Sequence, residues 1–155
     1  MDENDLIRTE AHITLAAAEE AIRAGLAKAE ELGVRIAIVV VDYSSYFVAG
    51  VRMDGCRGKA DEAAKGKAVF AIGTPKGTAD FIENRLQHNE ALWRAMASRT
   101  DIFPVQGGFP LKYQGRSVGG VGVSGAKHEQ DAQVAQAAAD HFSQAADRAG
   151  AASAS

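Results

Sequence analysis

The sequence predicts an α+β fold: one antiparallel sheet with helices on its faces, in a single domain. Three observations predict it. Apolar residues recur at three- and four-residue steps in some segments and run continuously or alternate in others. The segments that read as strands come in adjacent pairs joined by turns, not singly between helices, which argues against a parallel βαβ sheet. The chain of 155 residues has the length of one domain, and at that size about two-thirds of the unfolded surface can be buried without a metal or disulfide.

Leu15, Ala18, Ile22, Leu26, Ala29 and Leu32 lie on one face of a helix over about 12–32. Thr14 is a suitable N-cap and Gly33 stands where a helix-ending glycine belongs. Arg35 to Val41 is β-branched and apolar on both faces, as expected of a central strand. Asp42 to Ser45 is turn chemistry, and Phe47 to Met53 returns as the second strand of a hairpin. An alanine-rich helix comes next over Lys59 to Ala71, ended by the segment Gly73-Thr-Pro-Lys-Gly77. Ala79 to Arg99 reads as one helix or two short ones. Thr100 to Gly108 is a loop. Leu111 to Tyr113, a Gln114-Gly115 turn and Ser117 to Val123 make a second hairpin. The last helix is expected over Gln130 to Asp147. The domain thus spans 1–155, with a core over about 11–147 and a frayed tail over 148–155.

Composition excludes several functions. A net charge of −3 and a pI near 5.8 give no basic footprint for nucleic acid. The longest apolar run, Ile36 to Val41, is too short to span a bilayer. The acidic N-terminus has no secretory character, so the expected compartment is the cytoplasm. A single cysteine, Cys56, allows no internal disulfide and no cysteine-based zinc site. Hydrophobic residues at 46% and charged residues at 24% are those of a globular chain.

Glycine is in excess, with 16 residues, and seven of them (Gly107, Gly108, Gly115, Gly119, Gly120, Gly122 and Gly125) crowd one region. Gly120 to Gly125 has the letters of a dinucleotide fingerprint, G-x-G-x-x-G. Beyond Gly125 the chain reads as helix and tail, with no second parallel strand to complete the unit, so this reading fails. A strand that lets a ligand or another backbone come close is the better one. Gly107 and Gly108, before Phe109 and Pro110, could expose successive N–H groups as an anion nest or simply make a tight turn. Arg52 and Asp54 fall on one face by alternation, where Arg52 could hold a carboxylate or pair with an acid. Lys65 and Lys67 read as solvated helix residues, although Lys67 lies near alanines expected to face the sheet. Cys56 comes just after a turn and is expected to be partly exposed. The histidines, His12, His88, His128 and His141, show no i,i+4 ligand spacing. Any one of them could serve as an axial haem ligand.

Taken together, several segments resemble the GlcG/HbpS family of haem- and small-ligand-binding proteins, which includes the C-terminal domain of PduO-type cobalamin adenosyltransferases. They are Ile13-Thr-Leu-Ala-Ala17, Ile38-Val-Val-Val-Asp42, Arg52-Met-Asp-Gly55, Lys67-Ala68 with Ala71, Gly107-Gly-Phe-Pro110, Gly119-Gly-Val-Gly-Val-Ser-Gly125 and Gln130-Asp131. They occur in the family's order over about 11–145. The resemblance implies a profilin-like sandwich and a homo-oligomer, from dimer to octamer. It also implies a pocket lined by the glycine-rich strand and the Gly-Gly loop. Cys56 and Phe70 depart from the alanine and threonine usual in the family.

The resemblance leaves two functions as expectations. In the first, the chain binds haem or another tetrapyrrole, as an accessory to a catabolic pathway. Arg52 or Lys67 would meet the propionates, Gly107, Gly108, Phe109, Pro110, Ser124 and Gly125 would line the pocket, and His12 would ligate iron. In the second, the chain is a cofactor-independent lyase or isomerase of a small aromatic acid such as a hydroxylaminobenzoate, with Asp54, Glu62 or Asp131 moving protons.

Overall fold

The computed structural model describes residues 1–154, apart from the side chains of residues 3 and 4; Ser155, the end of the tail expected to fray, lies outside the described residues. A short helical turn, α1 (Glu3–Leu6), precedes the domain. Helix α2 (Leu15–Leu32) begins where the Thr14 hydroxyl accepts the Ala17 N–H and ends on Gly33 at φ 66°. Both caps satisfy backbone groups that a bare helix end leaves open. Strands β1 (Ala37–Asp42) and β2 (Phe47–Arg52) form the first hairpin. Asp42 builds its turn: one carboxylate oxygen accepts the N–H groups of Ser44 and Tyr46 at 2.8 and 3.0 Å.

Helix α3 (Ala60–Ala71) comes next. The segment from 79 to 99 resolves into α4 (Thr78–Asn84), a 3-10 turn (Leu86–His88) and α5 (Glu90–Ala97). The break has a local cause, since Asn89 caps α5 by accepting the Leu92 N–H at 2.9 Å. Strands β3 (Gly108–Tyr113) and β4 (Arg116–Ser124) make the second hairpin, with Gln114 and Gly115 at φ 49° and 75° in its turn. Two positive φ values in a two-residue loop match the twist of the flanking strands.

The strands are all antiparallel and lie in the order β2-β1-β4-β3. The continuous apolar run of β1 is therefore central, as its sequence requires. Alternation divides it between two cores. Ile38 and Val40 join α2 and the last helix, α6 (His128–Ala154), on one face. Ala37, Val39 and Val41 meet Ala60, Ala64 and Ala68 of α3 on the other. This is the α+β sandwich expected.

The C-terminal segment differs from expectation. Helix α6 starts at His128 and runs on to Ala154, where the sequence suggested an end near Asp147 and a frayed tail. Alanine is the strongest helix former, and one interior glycine costs only about 1 kcal/mol. Residues 149–154 hold four alanines against Gly150 and no proline, so nothing there stops the helix. Among the described residues no helix is long and apolar enough to cross a membrane.

Candidate functional site

Three constellations emerge, one internal and two open. The internal one is an ion pair between α3 and α6. Lys67 is 1% exposed and Asp131 is fully buried. The Lys67 Nζ donates to the Asp131 Oδ2 at 3.0 Å and to the Val123 carbonyl at 2.8 Å. The Asp131 Oδ1 accepts the Ala126 N–H at 3.0 Å. Burial pushes the lysine below its usual range and the carboxyl above its own, while their mutual attraction opposes both shifts. Gly107 closes the site, because a Cβ there would stand 3.1 Å from both the Lys67 Nζ and the Asp131 Cβ. In this structure the two residues form an internal brace between α3 and α6.

The Gly-Gly loop serves the same brace. Gly107 has the positive φ expected, 115°. Its carbonyl accepts the Val123 N–H at 2.8 Å, and the Gly108 N–H donates to the Thr78 Oγ1 at 3.1 Å. With one of the two amides committed, there is no open anion nest of successive N–H groups. Phe109 packs on Gly77, and Pro110 is buried within β3.

Of the other sequence candidates, Arg52 and Gly125 lie against Cys56, close enough to the brace for Asp131 to act on the same thiol. Strand β2 ends at Arg52, so Asp54 falls in a turn beyond the strict alternation. Arg52 donates to the Cys56 carbonyl at 3.0 Å in place of an ion pair with Asp54. Glu62 pairs with Lys59 at 2.7 Å on the surface. Of the three acids, Asp54 and Glu62 are exposed and Asp131 is buried. Gly125, at φ 131°, turns the chain against Cys56. Cys56 is 6% exposed, against the expectation of a partly exposed loop thiol. It packs with Ala37, Val39 and Val41 in the core under α3. Burial pushes its thiol up, against the pull of Arg52 and Arg57. Less thiolate then forms at a given pH, so iodoacetamide at pH 8 should react about tenfold more slowly than with a free cysteine. Unfolding in urea should restore the rate; equal rates before and after unfolding would contradict this burial.

The first open constellation surrounds His12. The Ile13 N–H donates to the Val118 carbonyl at 2.9 Å, and the buried Ile13 side chain anchors this segment on the sheet. That places the His12 Nδ1 3.7 Å from the Asp42 Oδ2, the carboxylate oxygen not used by the hairpin turn. The His12 ring meets Tyr43 edge-on, with centroids 6.2 Å apart. Tyr43 in turn lines a groove of about 1030 Å³ with Arg8, Ile72, Tyr113, Arg116 and Val118; the lining includes Ala11 but not His12, which adjoins the groove through Tyr43. Arg8 is paired with Glu10. Arg116 makes no ion pair among the described residues. The remaining histidines lie elsewhere: His141 beside Glu20, His88 in the 3-10 turn, and His128 at the start of α6.

The second open constellation is a groove of about 750 Å³ between the start of α3 and the loop from Thr100 to Phe103, floored in part by Ser124.

A model of the family described as "Haem degrading protein HbpS-like" matches residues 13–140. The chain belongs to this family. It is 34% identical over 135 residues to the "Uncharacterized 15.0 kDa protein in dhaT-dhaS intergenic region" of Citrobacter freundii, covering 86% of this chain and 94% of that one. The crystal structure of the Klebsiella pneumoniae protein ORFY superposes with a TM-score of 0.80 at 29% identity, over 92% of this chain and 96% of that one. A double mutant of Streptomyces reticuli HbpS gives 0.78 at 27% identity, over 90% and 93%.

Within this HbpS-like fold, the sequence offers His12 as a candidate but gives no sign of the residues that surround it. Tyr43, Tyr113 and Arg116 carry no pattern that marks them, because they lie at the turn ends of two hairpins whose adjacency only the sheet order creates. Asp42 does the turn chemistry its sequence suggests with one oxygen, while the other faces His12.

Proposed function

We propose that this HbpS-like chain binds haem, or a closely related tetrapyrrole, in the groove beside His12, as a cytoplasmic homo-oligomer. The observation that carries the reading is the His12–Asp42 contact. At 3.7 Å the contact is not a hydrogen bond, but a carboxylate on the Nδ1 side favours a proton there and leaves the other nitrogen to a metal. Nε2 has no partner among the described residues. Arg116 would meet a propionate, and Tyr43 and Tyr113 offer ring surfaces to a flat macrocycle. The groove lies near the upper end of the ~300–1,000 Å³ usual for small-molecule sites, which suits a ligand of that size. Bound haem would supply an iron centre; the chain's own residues bind it, orient it and limit its contact with water. The family description, and the haem complex of the PduO C-terminal domain with its similar fold (TM-score 0.74, 23% identity), point the same way. For the oligomer, the outer strand β2 carries exposed Phe47 and Val51 next to Tyr46, apolar surface that a second copy could cover.

The alternative, a lyase of a hydroxylamino-aromatic acid, draws less support because Asp131 is committed to the buried pair with Lys67 and Glu62 to Lys59 on the surface. Titrating the full chain with haemin should give a saturable Soret band at one equivalent or less per subunit. His12→Ala should shift the band and weaken binding by about tenfold or more, in line with the loss of a metal ligand's support. A nonsaturable, scattering spectrum would overturn the reading, and so would an unchanged band in His12→Ala.

A further inference from the structure

Along β4 every second residue faces α3. A Cβ on Gly120 would stand 2.2 Å from the Ala68 carbonyl oxygen, and one on Gly122 would stand 2.0 Å from that of Ala64. Two residues of strand therefore match four of helix, and the next step brings Ser124 level with Ala60, where α3 begins. Ser124 is the first position on this face of the strand's end to carry a side chain. It is 2% exposed, and its hydroxyl makes no hydrogen bond among the described residues. No fully buried side-chain polar atom among them lacks a partner. The Ser124 hydroxyl therefore opens on the groove that it lines.

The helix end beside it is also uncommitted. Lys59 holds the N-cap position at φ 66° and makes no side-chain capping bond. The first helical bond is from the Ala63 N–H to the Lys59 carbonyl, so the amides of residues 60–62 have no helical acceptor. Partial positive charge gathers at such an end. Among the charged residues lining the groove, Lys59 is tied to Glu62 and Asp101 to Arg99. Arg57 and Lys65 have no ion-pair partner among the described residues. Val69, Ile102 and Phe103 make the apolar wall.

We propose that this groove is a second ligand site, for a small organic monocarboxylate with an apolar body. The carboxylate takes the Ser124 hydroxyl and the first amides of α3, with Arg57 and Lys65 supplying charge. The apolar body lies against Phe103 and Ile102. Charge sets the limit: with Glu62 offset by Lys59 and Asp101 by Arg99, Arg57 and Lys65 stand against Asp61 of the first turn of α3, which leaves one positive charge to balance a monoanion but not a dianion. The site shares no lining residue with the groove beside His12, so it does not depend on the haem reading.

Benzoate is the probe, titrated into the full chain without haemin and followed by amide chemical shifts. Saturable shifts are expected at Ser124, Gly125 and residues 60–63. Ser124→Ala should weaken binding about tenfold, the worth of one hydrogen bond to a charged group. Arg57→Gln should weaken it by about 3- to 10-fold, while the surface control Arg23→Gln leaves it unchanged. Inorganic phosphate should bind more weakly than benzoate. Nonsaturable shifts, an unchanged affinity in Ser124→Ala, or tighter binding of phosphate would each overturn the assignment.

Discussion

Asp131→Ala should cost about 3–5 kcal/mol of folding stability, the loss expected when one partner of a buried ion pair is removed. Urea unfolding followed by circular dichroism measures it, with an unchanged slope confirming that the unfolded state is the same. The cost arises from what the substitution strands. Lys67 would keep its hydrogen bond to the Val123 carbonyl but lose its counter-charge inside a site that is 1% exposed. The Ala126 N–H would lose its acceptor as well. The double substitution Lys67→Met with Asp131→Leu should cost far less, within about 1–2 kcal/mol of the wild type or on its stable side, because buried pairs often do no better than apolar replacements. The pKa directions agree: burial pushes both groups toward their neutral forms in spite of their attraction. A double variant as unstable as Asp131→Ala would show that the pair, and not merely its intactness, holds α3 to α6.

How much of this was legible in the sequence depends on distance along the chain. Thr14 and Gly33 act within one turn of their own helix, and both do what their residue types predict. The strand β1 announces its central place through apolar side chains on both faces. The sandwich follows once two hairpins are recognised. The brace was not legible in that way, since Lys67 and Asp131 are 64 positions apart. A signal did exist. Lys67 sits among Ala64, Ala68 and Ala71, small residues that a glycine-rich strand can approach closely, and a long cation on such a face must find a buried acceptor. The open grooves were less legible still. Each is assembled from three or more separate segments, and single residues such as Arg57, Tyr113 and Arg116 carry no pattern that distinguishes them from ordinary surface.

The glycine cluster yields the other large effect. Gly122→Ala should destabilise the chain by about 3 kcal/mol or more, at or beyond the upper end for overpacked cores. Its Cβ would fall 2.0 Å from the Ala64 carbonyl oxygen and 2.5 Å from the Ala68 nitrogen. Both are backbone atoms, so no rotamer change relieves the contact and α3 must move as a body. Lys67 rides on that helix, and displacing it lengthens the hydrogen bonds to Val123 and Asp131. Gly122→Ala and Asp131→Ala should therefore fail to add, the double variant losing less than the sum of the two, as neighbours sharing one contact do. Two controls separate this mechanism from a general cost of replacing glycine. Gly73→Ala meets nothing within 4 Å and should change stability by no more than about 0.5 kcal/mol. Ala64→Gly should not rescue Gly122→Ala, because the obstruction is the carbonyl oxygen and not the methyl group. Rescue by Ala64→Gly would mean that side chains, and not the helix backbone, set the spacing between α3 and the sheet.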